Sequence, residues 1–366
     1  IFKIFLSHGH LTRLACERLS QKNLSNLNYL CLNSNPIGDN GALALSRGYF
    51  PHLSYLNLFH ANLGDDGAIA LGQGDWPFLE TLLLDNNSIN TKGAVGLARG
   101  DWPELNFLDI SFNCIQDEGV HAIAHANWFN LRRLYLRRNF IHNTGVMALC
   151  EKFPVLEELA LSENKIEDEG AIALAKNKWP CLTQLSLDHN QIGDKGFSAI
   201  CQGEWPFLTH LVLTYNKITH ESINDLHTSH WPHLTELYLA MNTIGSFEVL
   251  NTWKLHVLSL DHTNLTNDCA LSIINEMTTA HIKILGLSFS LIETSWVRAA
   301  KDKDWNNLEL LDLTHSLIDD EGAKILMDFK LPCLISLVLR GIDLKSDTKL
   351  QLSSFFKNKI ILTENP

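Results

Sequence analysis

One pattern, Leu-x-x-Leu-x-Leu-x-x-Asn-x-Ile, recurs about every 26 residues along the 366-residue chain. It reads cleanly from Leu27, Leu79, Leu105, Leu131, Leu156, Leu182, Leu208 and Leu234. Weaker copies begin at Ile1, Leu53, Leu255, Ile282, Leu308 and Leu334. Successive starts lie 25 to 27 residues apart, except for the 21-residue step from Leu234 to Leu255. A period of this size fits a solenoid, in which each unit buries its apolar face against its neighbours. The expectation is an α/β solenoid of about 14 repeats, with a parallel concave sheet and helices on the convex side.

The unit beginning at Leu156 shows the logic. Leu156, Leu159 and Leu161 are spaced for a short strand, with Leu159 and Leu161 on one face. Asn164 follows at a tight turn, where an Asn side chain can hydrogen-bond backbone groups. Ile166 closes the core. Asp168 stands where a helix N-cap belongs, and Gly170 to Ala175 reads as a short helix with small residues packed inward. Trp179-Pro180 then turns the chain toward the next strand. The capping column holds Asp39, Asp65, Thr91, Asp117, Asn143, Asp168, Asp194, His220, Ser246, Asn267, Thr294, Asp320 and Ser346. All but His220 belong to the preferred capping set. A second column holds Trp76, Trp102, Trp128, Trp179, Trp205, Trp231 and Trp305, with Phe50 and Phe153 in two units. These aromatics read as structural wedges.

These columns resemble the leucine-rich repeat family over essentially the whole chain. The segment Asn-x-Ile-x-Asp-x-Gly-Ala-x-Ala-Leu looks like the ribonuclease-inhibitor-like subclass. The Trp-Pro turn and the 26-residue period look more like bacterial repeat proteins, including effectors of intracellular pathogens. The resemblance implies a horseshoe scaffold that binds proteins, and it carries no chemistry over.

A chain of this length would ordinarily form two or three domains, but the repeat argues for a single elongated one. Regular units are expected over 1–244, irregular units over 245–345 and a C-terminal cap over 346–366. In the cap, Leu350 to Phe356 reads as a last helix and Ile360-Ile361-Leu362 as a closing strand. The unit from Leu234 lacks the Gly-Ala helix signature, so its helix should be weak or missing near 246–252. A solenoid needs covered ends, so the chain is expected to continue upstream of Ile1. The net charge of −12 argues against nucleic acid and anionic membranes, which favour a basic surface. The eight cysteines are scattered over different repeat positions and form no terminal cluster, which points to thiols in a reducing compartment. That compartment is the cytoplasm, or a host cytosol after secretion.

Partner choice should be written on the strand positions that project from the concave face. Tyr29, Tyr55, Tyr135, Tyr215 and Tyr238 fall there, with Phe59, Phe107, Phe112 and Phe289. Aromatics favour both strands and interfaces. Arg132, Arg133, Arg137 and Arg138 crowd one unit, and Glu157, Glu158 and Glu163 occupy the next. Neighbouring parallel strands lie roughly 4.8 Å apart. Arg132 should then face Glu157, Arg133 Glu158 and Arg138 Glu163, leaving Arg137 beside Ser162 and unpaired. This is either a self-neutralising ladder or a charged anchor. A further column places His60, His189, His262 and His315, with intervening units that argue against a shared metal.

No phosphate loop, dinucleotide turn, metal-binding or nucleophile motif appears. The reading is a monomeric, non-enzymatic module with no cofactor and no metal. It should bind one protein partner, with the contact among Phe112, Arg132, Arg133, Tyr135, Arg137, Arg138, Glu158, Glu163, His189, Tyr215 and Tyr238. Masking an enzyme or engaging a host protein would fit. A GTPase regulator or scaffold is the alternative within binding. A targeting domain for a catalytic part outside this chain is the alternative of another class.

Overall fold

A computed structural model of the chain describes residues 2–9, 11–150, 152–245 and 254–362. It divides into two compact units, Ile1–Gln191 with Gly203–Pro206, and Ile192–Gln202 with Phe207–Pro366. In the first, the strands β1 (Phe2–Phe5), β2 (Leu27–Cys31), β3 (Tyr55–Asn57), β4 (Thr81–Leu83), β5 (Phe107–Asp109), β6 (Arg133–Tyr135), β7 (Glu158–Ala160) and β8 (Gln184–Ser186) pair in parallel, each with the next. In the second, β9 (His210–Val212), β10 (Glu236–Tyr238), β11 (Val257–Ser259), β12 (Ile284–Gly286), β13 (Leu310–Asp312), β14 (Ser336–Val338) and β15 (Ile360–Ile361) do the same. The expected fourteen repeat strands are all present, and β15 is the expected closing strand.

Short helices follow the strands. The first unit carries α1 (Arg13–Ser20), α2 (Gly38–Ser46), α3 (Asp65–Leu71), α4 (Thr91–Leu97), α5 (Gln116–Ala124), α6 (Asn143–Leu149) and α7 (Asp168–Lys176). The second carries α8 (Asp194–Cys201), α9 (Asn267–Glu276), α10 (Thr294–Ala300), α11 (Asp320–Ile325) and α12 (Ser346–Phe356). After β9 the helix tightens to a 3₁₀ turn at Ile223–Thr228, in the unit whose capping position is His220. The weak helix expected near 246–252 lies outside the described residues. None of the described helices is long and apolar enough to cross a membrane.

Alternation along each strand sets the core. Leu82, Leu108, Leu134 and Leu159 are buried, while the residues on either side of each stay partly open. The turn Asn residues staple successive repeats. In the Leu105 unit, the Asn113 side chain accepts from Ile89 N–H and donates to the carbonyls of Leu84, Ile110 and Ser111, all at 2.9–3.1 Å. Asn139, Asn164, Asn190 and Asn242 repeat the arrangement in buried positions. Each buried amide thereby satisfies groups in its own turn and in the preceding one. The tryptophans are wedges as expected. Trp76, Trp102 and Trp128 are fully buried and stack at 6.2 and 5.6 Å.

The capping column behaves differently from the sequence expectation. Asp39, Asp65, Asp117, Asn143, Asp194 and Asn267 sit in the first turn of their own helices and bond the start of the next repeat's helical segment instead. The Asp65 carboxylate accepts from Asn90 N–H at 2.7 Å and Gly93 N–H at 2.9 Å, at the start of α4. Asn143 does the same for Glu167 and Gly170 at the start of α7. Asp117 serves His142, Asp194 serves Thr219, and Asn267 serves Glu293. The chemistry is that of an N-cap, an oxygen offered to an orphan helix N–H. It is supplied by the neighbouring repeat. The Gly that follows in the pattern has a reason here: a Cβ on Gly93 would lie 2.6 Å from the Asp65 carboxylate.

Candidate functional site

The open side of the sheet in the first unit concentrates charge and aromatic area on β5, β6 and β7. Strand register brings Asp109, Tyr135 and Ala160 into line, and Phe107, Arg133 and Glu158 into a parallel row. Small Ala160 stands opposite Tyr135 on β7, and the tyrosine is half-buried. On the other side Phe107 meets it edge-on at 5.0 Å. The Tyr135 hydroxyl donates to Glu158 at 2.5 Å. Burial, then this bond to Glu158, pushes its pKa above the usual tyrosine value, so the phenol stays neutral.

The arginines pair differently from the expected ladder. Arg132 does bind Glu157, at 2.5 Å. Arg133 is in register with Glu158 but makes no ion pair among the described residues, and Glu158 instead accepts the Tyr135 hydroxyl. Its guanidinium lies 4.3 Å from the Phe107 ring centroid. Arg137, expected to be unpaired, holds Glu163 through Nε at 2.8 Å and through Nη2. Arg138, the expected partner of Glu163, is left with the Phe112 ring at 5.6 Å. Arg137 also overlies Phe112, at 5.3 Å. The spacing alone could not choose, because Glu163 lies within reach of two adjacent arginines.

Phe112, Arg138, Glu163 and His189 occupy one column whose backbone is left-handed, with φ between +52° and +54°. Each donates its N–H to the carbonyl of the next unit where that bond is described: Phe112 to Arg137, Arg138 to Ser162 and Glu163 to Asp188. His189 also lies 3.1 Å from the Asp188 carboxylate. Tyr215 and Tyr238 belong to the second compact unit. Tyr215 is exposed, at φ +56°. The Tyr238 hydroxyl donates to Glu236 at 2.8 Å, and burial followed by that contact pushes its pKa up to about 12. The described cluster is therefore confined to Phe107, Phe112, the four arginines, Tyr135 and the three glutamates.

Sequence reasoning passed over Asp85 and Asp109, on neighbouring strand units beside this cluster. Burial, then the charge of Asp109, pushes Asp85 up to about 7. Burial also raises Asp109, against the opposing bonds from Ser111. Writing the repeats in columns would have revealed two acids on adjacent units facing one side. Among the described residues, no group of three or more His, Cys, Asp or Glu is arranged to hold a metal ion.

A family pattern described as Leucine Rich repeat matches residues 23–46, 51–72, 105–124, 129–150, 154–175 and 180–201. No curated protein sequence matches the chain. Among solved structures, the chain is similar to a leucine-rich repeat protein of Leptospira interrogans, at 21% identity and a TM-score of 0.56, over 93% of this chain and 84% of that one. It is also similar to an internalin of Listeria monocytogenes, at 18% identity and a TM-score of 0.53, over 100% of this chain and 87% of that one. At these identities the likeness is one of fold.

Proposed function

We propose that this chain, built on the leucine-rich repeat fold, recognises a protein partner with the open side of its sheet, centred on β5 to β7. The helices that follow most strands fit the ribonuclease-inhibitor-like subclass. The observation that carries the reading is the Tyr135 ring. It is held by Phe107 and Glu158, stands in register with small Ala160, and shares its face with Arg133, which is stacked on Phe107. A rigid aromatic beside guanidinium groups is the composition of an interface anchor. The chain then acts by covering a partner's surface, whether an enzyme it masks or a host protein it engages.

The test is partner capture by the full chain, followed by affinity measurement on the captured protein. Tyr135→Ala should weaken binding by about 2 kcal/mol or more, with an unchanged melting temperature. Undiminished binding by a folded Tyr135→Ala and by Arg137→Glu would move the interface elsewhere. We also propose that the chain works in a reducing compartment, because its eight cysteines are scattered over different repeat positions instead of clustering in a cap. All eight should titrate as thiols after denaturation of protein purified without reductant. Recovery of fewer than about half would refute that placement.

A further inference from the structure

We infer that the partner segment seated on this face is acidic, and that Arg133 and Arg138 take its carboxylates. The inference rests on the proposed binding role of the same face. The four arginines of the β6 unit meet three glutamates on the next. Glu157 is consumed by Arg132, Glu163 by Arg137, and Glu158 by the Tyr135 hydroxyl. Among the described residues, neither Arg133 nor Arg138 has a carboxylate within ion-pair distance. Two guanidinium groups are thereby left without a carboxylate partner, and the four arginines exceed the three glutamates by one charge.

Both are held in place by aromatic faces. Arg133 lies over Phe107 and Arg138 over Phe112. Stacking engages the flat face of a guanidinium and leaves its N–H edge available. That edge matches a carboxylate in a two-point contact. Pre-positioned rings also lower the entropy lost when the contact forms. Arg138 sits at a left-handed backbone position that a glycine or asparagine would occupy with less strain. The two arginines are five positions apart, a reach of at most about 17 Å, with Tyr135 between them. The matching segment is extended, carries two acidic side chains at a comparable separation, and lays an apolar residue on Tyr135. A nucleic acid fits less well. Its phosphates recur at every nucleotide and need a continuous basic track, whereas only two guanidinium groups here lack a carboxylate partner.

The test uses the full chain and three fluorescein-labelled probes: deca-glutamate, deca-lysine and a ten-nucleotide oligouridylate. Anisotropy at low salt reads their affinities. Deca-glutamate should bind more tightly than the other two. Arg133→Gln with Arg138→Gln should weaken it tenfold or more. Lys92→Gln, which removes an exposed charge on α4 paired with Asp66, should change it less than threefold. Arg133→Glu with Arg138→Glu should shift the preference toward deca-lysine. Circular dichroism melts should show every variant folded. The inference is overturned by oligouridylate or deca-lysine binding best to the wild type, or by no deca-glutamate binding at all. Equal losses in Lys92→Gln and in the Arg133, Arg138 double variant would also overturn it. A captured partner lost on Tyr135→Ala but retained by the double glutamine variant refutes this inference and leaves the binding role standing.

Discussion

Burial pushes the Asp85 carboxyl up to about 7, and the charge of Asp109 adds to the shift. In the unfolded chain the same group titrates near 3.8. The folded state therefore holds the proton more tightly. The stability it contributes is fully present below about pH 4 and is lost as pH rises through about 7. Asp85→Asn should remove that slope. Denaturant titrations at pH 4 and pH 8 should show the variant more stable than wild type by about 1–2 kcal/mol at pH 8, after allowance for partial exposure. Near pH 4 the difference should vanish. An unchanged slope would mean that Asp85 is ionised at both pH values. The neighbouring left-handed column makes a second argument at this scale. Arg138, at φ +52°, stands where Asn86 occupies the equivalent position two repeats away in the same sheet. Non-glycine residues pay on the order of 1 kcal/mol there, and asparagine less. Arg138→Asn should stabilise the fold by roughly 0.5–1 kcal/mol while weakening acidic probes. Thermal melts beside anisotropy would check both signs, and a destabilised variant would deny that Arg138 is strained. These columns were legible in the sequence. The choice of partner within them was not, since Arg137 and Arg138 both reach Glu163 and only side-chain geometry decides.

At the scale of elements, the staples between repeats matter more than helix propensity. Helices such as α3 and α4 have seven residues, too short to persist alone. Their start is fixed from outside, by the carboxylate of the preceding repeat. Asp65→Ala should destabilise by about 1–2 kcal/mol, by orphaning the N–H groups of Asn90 and Gly93. Asp65→Asn should cost less than about 0.5 kcal/mol, because Asn143 performs the same task in another repeat. Urea titrations distinguish them, and equal losses would show that charge rather than the bond is at work. The sequence revealed the column and its residue set correctly. It assigned the caps to the wrong helix because the period brings each capping oxygen equally near two helix starts, one along the chain and one across the stack. The tryptophan wedges were fully legible, since only burial between repeats explains an aromatic recurring at that period. Trp102 packs between Trp76 and Trp128. Trp102→Ala should cost roughly 3–5 kcal/mol as a core truncation.

For the molecule as a whole, the stability of a repeat array is approximately a sum of units and nearest-neighbour interfaces, so uneven staples imply uneven stability. In the first compact unit, Asn113, Asn139, Asn164 and Asn190 each bind groups in two repeats. Later in the second unit the same position holds Thr263, Ser290, Ser316 and Ile342. Thr263 keeps a bond to Leu260 within its own turn, and Ser290 keeps one to Ser288. The buried Ser316 hydroxyl finds no protein partner. Shorter side chains cannot span to the preceding repeat, so the interfaces there lose this polar staple and keep the strand ladder, the apolar packing and isolated bonds such as that of Asn267 to Glu293. Local opening should follow that difference. Native-state hydrogen exchange should show the strand amides of β11 to β13 exchanging at least tenfold faster than those of β5 to β7. Equal protection throughout would mean that packing alone sets the stability of each interface. Ser316→Asn supplies the direct check. By the geometry of the other units, its amide would accept from the N–H of Ile292 and donate to Leu287 and Leu313. It should slow exchange in β12 and β13, and leave β5 to β7 unchanged, because only interfaces adjacent to the restored staple gain from it.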